Sequence, residues 1–151
     1  MNRVAIQTDE EPLPRWAAPA EAFILKVLDY LGIDKWDLSV LFCGNGCIKK
    51  LNARFRQKDE ATDVLSFPLG SWVEEKGETW YLPGDIVISL EALAENAASF
   101  SVSQDEELRR LLIHGILHLK GLDHATNADI EPMLRLQETL MSDLSGARIL
   151  P

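Results

Sequence analysis

The sequence has few cysteines and no long hydrophobic run. Only two of its 151 residues are cysteine, too few for a disulfide framework, which indicates a reducing compartment. No apolar stretch approaches the ~20 residues that a membrane-spanning helix needs. Residues 1–11 carry Asp9, Glu10 and Glu11, where a secretory signal would have a basic start. These absences argue against a membrane protein and against export, and they predict a cytoplasmic location.

Positive charge is also scarce. Fifteen lysines and arginines face 24 acidic residues, for a net charge of -9, which argues against binding nucleic acid or anionic lipid over the whole surface. The exception is residues 49–58, which contain no acidic residue and five basic ones: Lys49, Lys50, Arg54, Arg56 and Lys58. A polyanion would bind at this segment, although a solvated helix face is an alternative interpretation.

Apolar content is sufficient for one domain. The chain is 46% hydrophobic, its length is typical of a single domain, and no repeat or linker interrupts it. We therefore predict one domain over residues 1–151. Apolar spacing predicts helices at residues 21–31, 48–55, 89–98, 103–120 and 126–146. A capping-box pattern of Ser103 and Glu106 opens the fourth helix, and Gly121 is suited to end it.

Strand patterns lie in the first 90 residues. Alternating apolar residues predict a strand at 36–43, and β-prone runs predict two more at 64–67, ended by Pro68, and at 85–89. Between the last two we expect a long loop over residues 70–83, with a turn at 74–78. Strands followed by helices predict an α+β fold, a small mixed sheet packed with helices.

All three histidines lie within eleven residues, as His114, His118 and His124. His114 and His118 are four residues apart, so a helix places both rings on one face. Gly121 can end that helix and let the chain return His124 to the same point. Three imidazoles suit zinc and leave a position for water, as in catalytic sites. We predict one zinc per chain at the end of this helix.

Other roles for this cluster remain open. A structural metal site would need a fourth ligand, for which Cys43 and Cys47 are candidates; otherwise they are ordinary buried thiols. Asp123 is expected to orient an imidazole rather than to bind the metal. The zinc-protease motif HExxH has a glutamate base after its first histidine, but Gly115 occupies that position here. A protease-like hydrolase is therefore the weaker alternative.

Residues 114–124, HGILHLKGLDH, resemble the metal-binding signature of the YbeY family of single-strand-specific endoribonucleases. Residues 52–68, NARFRQKDEATDVLSFP, are similar to the family's second hallmark, and the sequence Gly84-Asp85-Ile86 is similar to a third. The resemblance implies an α+β zinc protein that cleaves single-stranded RNA. It also implies a cytoplasmic role in ribosomal RNA maturation and ribosome quality control, with ribosomal RNA and ribosome or ribosome-assembly proteins as partners. A non-catalytic, metal-stabilised ribosome-assembly module is a further alternative.

The resemblance also assigns residues. It implies that His114, His118 and His124 bind the metal and that Arg56 is the arginine of the second hallmark. A guanidinium stays charged and presents several donors to a phosphate, so we predict that Arg56 is catalytic and holds the scissile phosphate. The predicted RNA-binding residues are Lys49, Lys50, Arg54 and Lys58. Phe55 is expected to pack in the core, and Trp72 is a candidate for base stacking.

Overall fold

A computed structural model describes residues 1–9, 12–58, 60 and 62–151. Glu10 and Glu11 of the acidic amino-terminal segment lie outside the described residues, as do Asp59 and Ala61 of the second hallmark. The elements follow in the order β1 (Arg3–Thr8), α1 (Ala17–Tyr30), β2 (Asp37–Cys43), α2 (Asn45–Arg56), β3 (Val64–Glu75), β4 (Glu78–Ser89), α3 (Leu90–Phe100), α4 (Gln104–Leu119) and α5 (Pro132–Asp143). The α+β prediction is confirmed.

The four strands form one mixed sheet in the order β1-β2-β4-β3. β1, β2 and β4 run parallel, whereas β3 pairs antiparallel with β4 in a hairpin. Since successive side chains in a strand point to opposite faces, each strand contributes to two layers. β1 and β3 are the two edge strands of the sheet.

One face of the sheet carries the main core. Leu38, Val40 and Phe42 of β2 and Ile86 and Ile88 of β4 are fully or almost fully buried there, together with apolar residues of α1 and α4. On the opposite face, a smaller cluster joins Ile48 of α2 to Cys43, Leu65 and Val87 of the strands. Helix α2 is thus packed on the face that α1 and α4 do not cover.

The β3–β4 hairpin differs from the sequence prediction. Residues 70–83 were expected to form a loop, but β3 continues to Glu75 and β4 starts at Glu78, with the turn inside the predicted segment. Pro68 does not end the strand because an edge strand tolerates proline, and the pairing shifts register between Pro68 and Ser71. Strand β1 was not predicted at all, although Val4 and Ile6 pack against the core.

The helix predictions were more accurate. Helix α4 begins after Ser103, whose hydroxyl accepts the Glu106 amide at 3.0 Å, as the capping pattern predicts. Helix α5 begins at Pro132 rather than near Thr126, because proline suits the first helical turn. Among the described residues, none of the helices is long and apolar enough to cross a membrane.

Candidate active site

Three histidine rings meet at the carboxyl end of α4. His114 and His118 lie on its last two turns, and the positive φ of 103° at Gly121 lets the chain reverse toward His124. The ring centroids are 4.6 Å apart for His114 and His118, 5.3 Å for His114 and His124, and 5.7 Å for His118 and His124. The convergence predicted from their spacing is therefore present.

Every Nδ1 atom in this cluster has an oxygen partner. His114 Nδ1 lies 2.7 Å from Gln137 Oε1, His118 Nδ1 lies 3.1 Å from the Leu122 carbonyl, and His124 Nδ1 lies 2.8 Å from the Thr126 carbonyl. Carbonyl oxygens only accept hydrogen bonds, so each Nδ1 carries the proton. Each neutral ring then keeps a lone pair on Nε2.

The Nε2 atoms are suited to share a cation. Nε2 of His114 and Nε2 of His118 are 3.0 Å apart, and the candidate ligand atoms of the three histidines all lie within 4.8 Å of one another. Two lone pairs at this distance repel unless a proton or a metal ion lies between them. The donor set therefore fits a divalent metal.

The pKa values of two of these histidines favour the neutral ring. Burial lowers the pKa of His114 and outweighs the opposing hydrogen bond with Gln137. Burial also lowers the pKa of His118, and the neighbouring His114 ring lowers it further. Neutral imidazole is the form that binds metal, so both rings are available as ligands at neutral pH.

The two cysteines proposed as a fourth ligand lie away from the histidines, whereas Asp123 lines the same cleft as His114 and His118. Cys43 and Cys47 are free thiols that line a different cleft from His114 and His118, and burial raises the pKa of Cys43. The side chain of Asp123 is 87% exposed and 4.0 Å from His118 Nδ1. Its carboxylate instead accepts the backbone amide of His124 at 2.8 Å. Asp123 thus makes a hydrogen bond within the loop that carries His124. The Leu122 carbonyl, rather than Asp123, orients the His118 ring.

Gln137 is a site residue that sequence reasoning missed. It is buried on α5, and its Nε2 donates to Glu138 Oε2 at 3.2 Å. Arg110 binds both carboxylate oxygens of Glu138 at 3.0 Å and also reaches Glu106 at 3.1 Å. The Arg110 hydrogen bond lowers the pKa of Glu138. A glutamine inside the apolar stripe of α5 was the available signal.

Arg56 lies beside the histidines in a cleft of about 400 Å³, which includes His114, His118 and Ser66 in its lining. The guanidinium Nη2 of Arg56 donates to the Ser66 carbonyl at 2.6 Å. The Ser66 hydroxyl donates to the Gly115 carbonyl at 3.4 Å and so links β3 to α4. Residues from α2, β3 and α4 thus form one cleft.

The other basic residues lie outside this cleft. Lys49, Lys50 and Arg54 line a shallow depression on the outer face of α2, and Lys58 is exposed beyond the end of that helix. The core position expected for Phe55 is wrong, because Phe55 is 57% exposed and contacts the ring of Phe67 edge to face. Trp72 is 64% exposed on the distal hairpin, where it packs on Tyr81.

Gly115, which stands where the zinc-protease motif has its glutamate, is packed tightly against the sheet. A Cβ atom at Gly115 would lie 3.0 Å from two side-chain atoms of Ile86 in β4. The helix therefore lies against the sheet at this position, and a longer side chain has no room there. The protease alternative gains no support.

Known proteins resemble this chain over most of its length. The family model described as Endoribonuclease YbeY matches residues 3–145. A protein of that name from Treponema denticola is 44% identical over 151 residues, which cover 98% of this chain and 97% of the relative. Another from Borrelia turicatae is 44% identical over 144 residues, covering 89% and 95%. The solution structure of TM1509 from Thermotoga maritima matches with a TM-score of 0.66 and 27% identity, covering 95% of this chain and 89% of that one.

Proposed function

This chain belongs to the endoribonuclease YbeY family, and from that premise we propose that it cleaves single-stranded RNA at the histidine cleft during ribosomal RNA maturation. The main support from the geometry is the position of Arg56, which lines the same cleft as His114 and His118 although 58 or more residues separate it from them in the chain. A phosphate-binding cation and a metal-binding cluster in one cleft suit phosphodiester cleavage.

His114, His118 and His124 are the proposed ligands of one zinc ion. Their neutral, Nδ1-protonated rings present Nε2 lone pairs, and three protein ligands are typical of catalytic zinc. When bound, the zinc would polarise a phosphate oxygen or lower the pKa of a water molecule. The histidines themselves hold the site in shape, because each ring is fixed through its Nδ1 hydrogen bond.

Arg56 is the proposed catalytic residue of the chain. Its hydrogen bond to the Ser66 carbonyl fixes the guanidinium while its other N–H groups remain available for the scissile phosphate. It cannot act as a base, so its role is to neutralise charge as the bond breaks. The exposed residues of α2 and its end, Lys49, Lys50, Arg54 and Lys58, are the proposed electrostatic track for the rest of the RNA strand.

The remaining assignments follow from the family. We propose ribosomal RNA as substrate, ribosome or ribosome-assembly proteins as partners, the cytoplasm as compartment, and residues 1–151 as one functional domain. Free thiols at Cys43 and Cys47 are consistent with a reducing compartment. A non-catalytic assembly module gains no support from the relatives, which are named as endoribonucleases.

Arg56→Ala tests the proposed function. We expect cleavage of a single-stranded RNA at saturating concentration to fall by about 10²- to 10³-fold, because one preorganised donor to the transition state is lost. Zinc content should stay at the parental level, since Arg56 makes no hydrogen bond to the histidines.

Lys50→Ala is the matched control, because it removes an exposed cation of the same helix outside the cleft. It should weaken RNA binding and its salt dependence while leaving the rate at saturation unchanged. His118→Ala, purified identically, should lose zinc and cleavage together and so excludes a contaminating nuclease. Parental cleavage by Arg56→Ala would contradict the phosphate role.

A further inference from the structure

A second pocket lies on the open face of the sheet, beside the carboxyl end of α2. It has a volume of about 340 Å³, within the usual range of ligand sites. The apolar part of its lining includes Leu51, Phe55 and Phe67, and the polar part consists of Gln7, Ser39 and Asp85. Neither the predicted metal cluster nor the phosphate-binding arginine lines it.

The pocket exists because α2 covers only part of this sheet face. Ile48 packs on Cys43, Leu65 and Val87, whereas β1 has its main helix contacts with α1 on the opposite face. Ser39 and Asp85 are direct neighbours across β2 and β4 and point to the same side. Strand register therefore places a hydroxyl and a carboxylate together on an otherwise apolar floor.

The polar groups of this pocket have unused hydrogen-bonding capacity. Within the part of the chain that the structure describes, the side chains of Gln7, Ser39 and Asp85 make no hydrogen bond or ion pair. Phe55 is exposed although it is a large apolar residue, and its ring contacts Phe67 at a centroid distance of 5.5 Å. Exposed aromatic rings next to unpaired polar groups are typical of nucleobase sites in single-strand binders.

We infer that this pocket binds one base of the RNA strand, with guanine preferred, next to the phosphate held by Arg56. The inference rests on the proposed function, since it takes the substrate to be RNA. Phe55 and Arg56 are consecutive at the end of α2, and the Arg56 guanidinium lies 5.9 Å from the ring centroid of Phe67. A strand that crosses this helix end therefore has a phosphate site and a base site next to each other.

The base pocket and the phosphate site at Arg56 carry opposite charges and therefore select different parts of a nucleotide. The Asp85 carboxylate repels phosphate, so the pocket selects a neutral group with N–H donors, while the cation of Arg56 selects the phosphate. Guanine presents two adjacent donors, N1–H and the N2 amino group, to the two oxygens of one carboxylate. Uracil places acceptor carbonyls on both sides of its single N–H, so it fits the same carboxylate poorly.

Nucleotide binding tests the pocket independently of cleavage, because guanosine 5′-monophosphate has no internucleotide bond to cut. By titration calorimetry or chemical-shift mapping, we expect the parent to bind it about tenfold more tightly than uridine 5′-monophosphate, as paired donors usually discriminate. Asp85→Asn should remove this preference. Phe55→Leu should weaken both nucleotides about fivefold or more, because the stacking ring is lost.

Glu74→Gln is the control for charge, since Glu74 is an exposed carboxylate of the distal hairpin outside the pocket. It should bind both nucleotides as the parent does. Unchanged thermal unfolding of Asp85→Asn and Phe55→Leu would exclude a loss of structure. Equal binding of the two nucleotides by the parent, or an unchanged preference in Asp85→Asn, would overturn the inference.

Cleavage separates this inference from the proposed function. With RNAs that carry guanine or uracil beside the cut, the parent should cut the guanine substrate faster, and Asp85→Asn should lose this preference. A parent that binds guanosine monophosphate through Asp85 but cuts no RNA would refute the proposed function and leave the pocket standing. If the parent cuts RNA with no base preference and binds neither nucleotide, the inferred base binding would be refuted while the proposed function would stand. A protein partner would then be the remaining candidate ligand of this face.

Discussion

The hydrogen bond between His114 and Gln137 depends on how the Gln137 amide is turned. Glu138 accepts from Gln137 Nε2, and Arg110 holds Glu138 with two bonds of 3.0 Å, so Oε1 faces the imidazole. That orientation keeps the proton on Nδ1 of His114 and the lone pair on Nε2. Residues of α4 and α5 that never reach the cleft therefore determine its donor set.

Gln137→Leu should lower zinc affinity about 10- to 100-fold, because the ring loses the acceptor that orients it. Gln137→Glu should keep most of the affinity, since a carboxylate also accepts from Nδ1. Competition with a chromogenic chelator measures both, and unfolding curves without metal show whether packing of the buried side chain has changed. Parental affinity in Gln137→Leu would show that the hydrogen bond does not position His114.

At the scale of residues, the sequence was enough to predict the histidine cluster but not the hydrogen-bond partners of its rings. The spacing of four on a helix and the helix-ending Gly121 are local signals, so the convergence of the rings could be foreseen. The carbonyls of Leu122 and Thr126 depend on the path of the loop after α4. Gln137 depends on how α5 packs on α4, which no local pattern specifies.

At the scale of elements, helices and strands with local sequence signals could be predicted, and those that depend on pairing with a distant segment could not. Helix α4 has a capping serine and a terminating glycine, and it was placed to within about a residue. The outer arms of β3 and β4 are mostly exposed and contain Pro68, Gly70 and Pro83, so their sequence suggests a loop. Only pairing with each other makes them strands, and β1 similarly depends on its pairing with β2.

The contact between α4 and β4 at Gly115 gives an element-scale prediction. Gly115→Ala should reduce the free energy of unfolding by about 1 kcal/mol, because crowding against Ile86 costs about 1–3 kcal/mol and improved helix propensity returns at most about 1 kcal/mol. Urea denaturation measures the change.

Gly46→Ala in α2 is the matched control, because nothing lies within 4 Å of its added Cβ. This substitution should leave stability unchanged or raise it by about 0.5–1 kcal/mol. Opposite signs for the two substitutions are expected only if α4 lies directly on β4. A gain of stability in Gly115→Ala would contradict that packing.

At the scale of the whole molecule, residues 149–150 are hydrogen-bonded to the first turn of α4. The buried carboxylate of Asp105 accepts the backbone amides of Ile149 at 2.7 Å and Leu150 at 2.8 Å, and it pairs with Arg109 at 2.9 Å. Burial alone would raise the pKa of Asp105, but the Leu150 and Ile149 amides and Arg109 together outweigh it and lower the pKa. One carboxylate thus joins two distant parts of the chain.

The lowered pKa predicts how stability depends on pH. A carboxylate whose pKa is lower in the folded chain stabilises it fully above the unfolded value of about 3.9, and this contribution is lost as pH falls through the folded pKa. Asp105→Asn should therefore reduce the free energy of unfolding at pH 7 by about 3 kcal/mol, since the amide nitrogen of asparagine cannot accept from the buried Arg109 guanidinium, whose charge is left uncompensated. The deficit should begin to shrink as pH falls below about 4, where the carboxyl of the unfolded parental chain protonates, and it should shrink further as pH falls through the lower pKa of the folded chain. Urea denaturation at pH 7, 5 and 3.5 measures it, with the exposed Asp29→Asn as control. A deficit that stays constant over this range would mean that Asp105 acts through packing rather than through its charge.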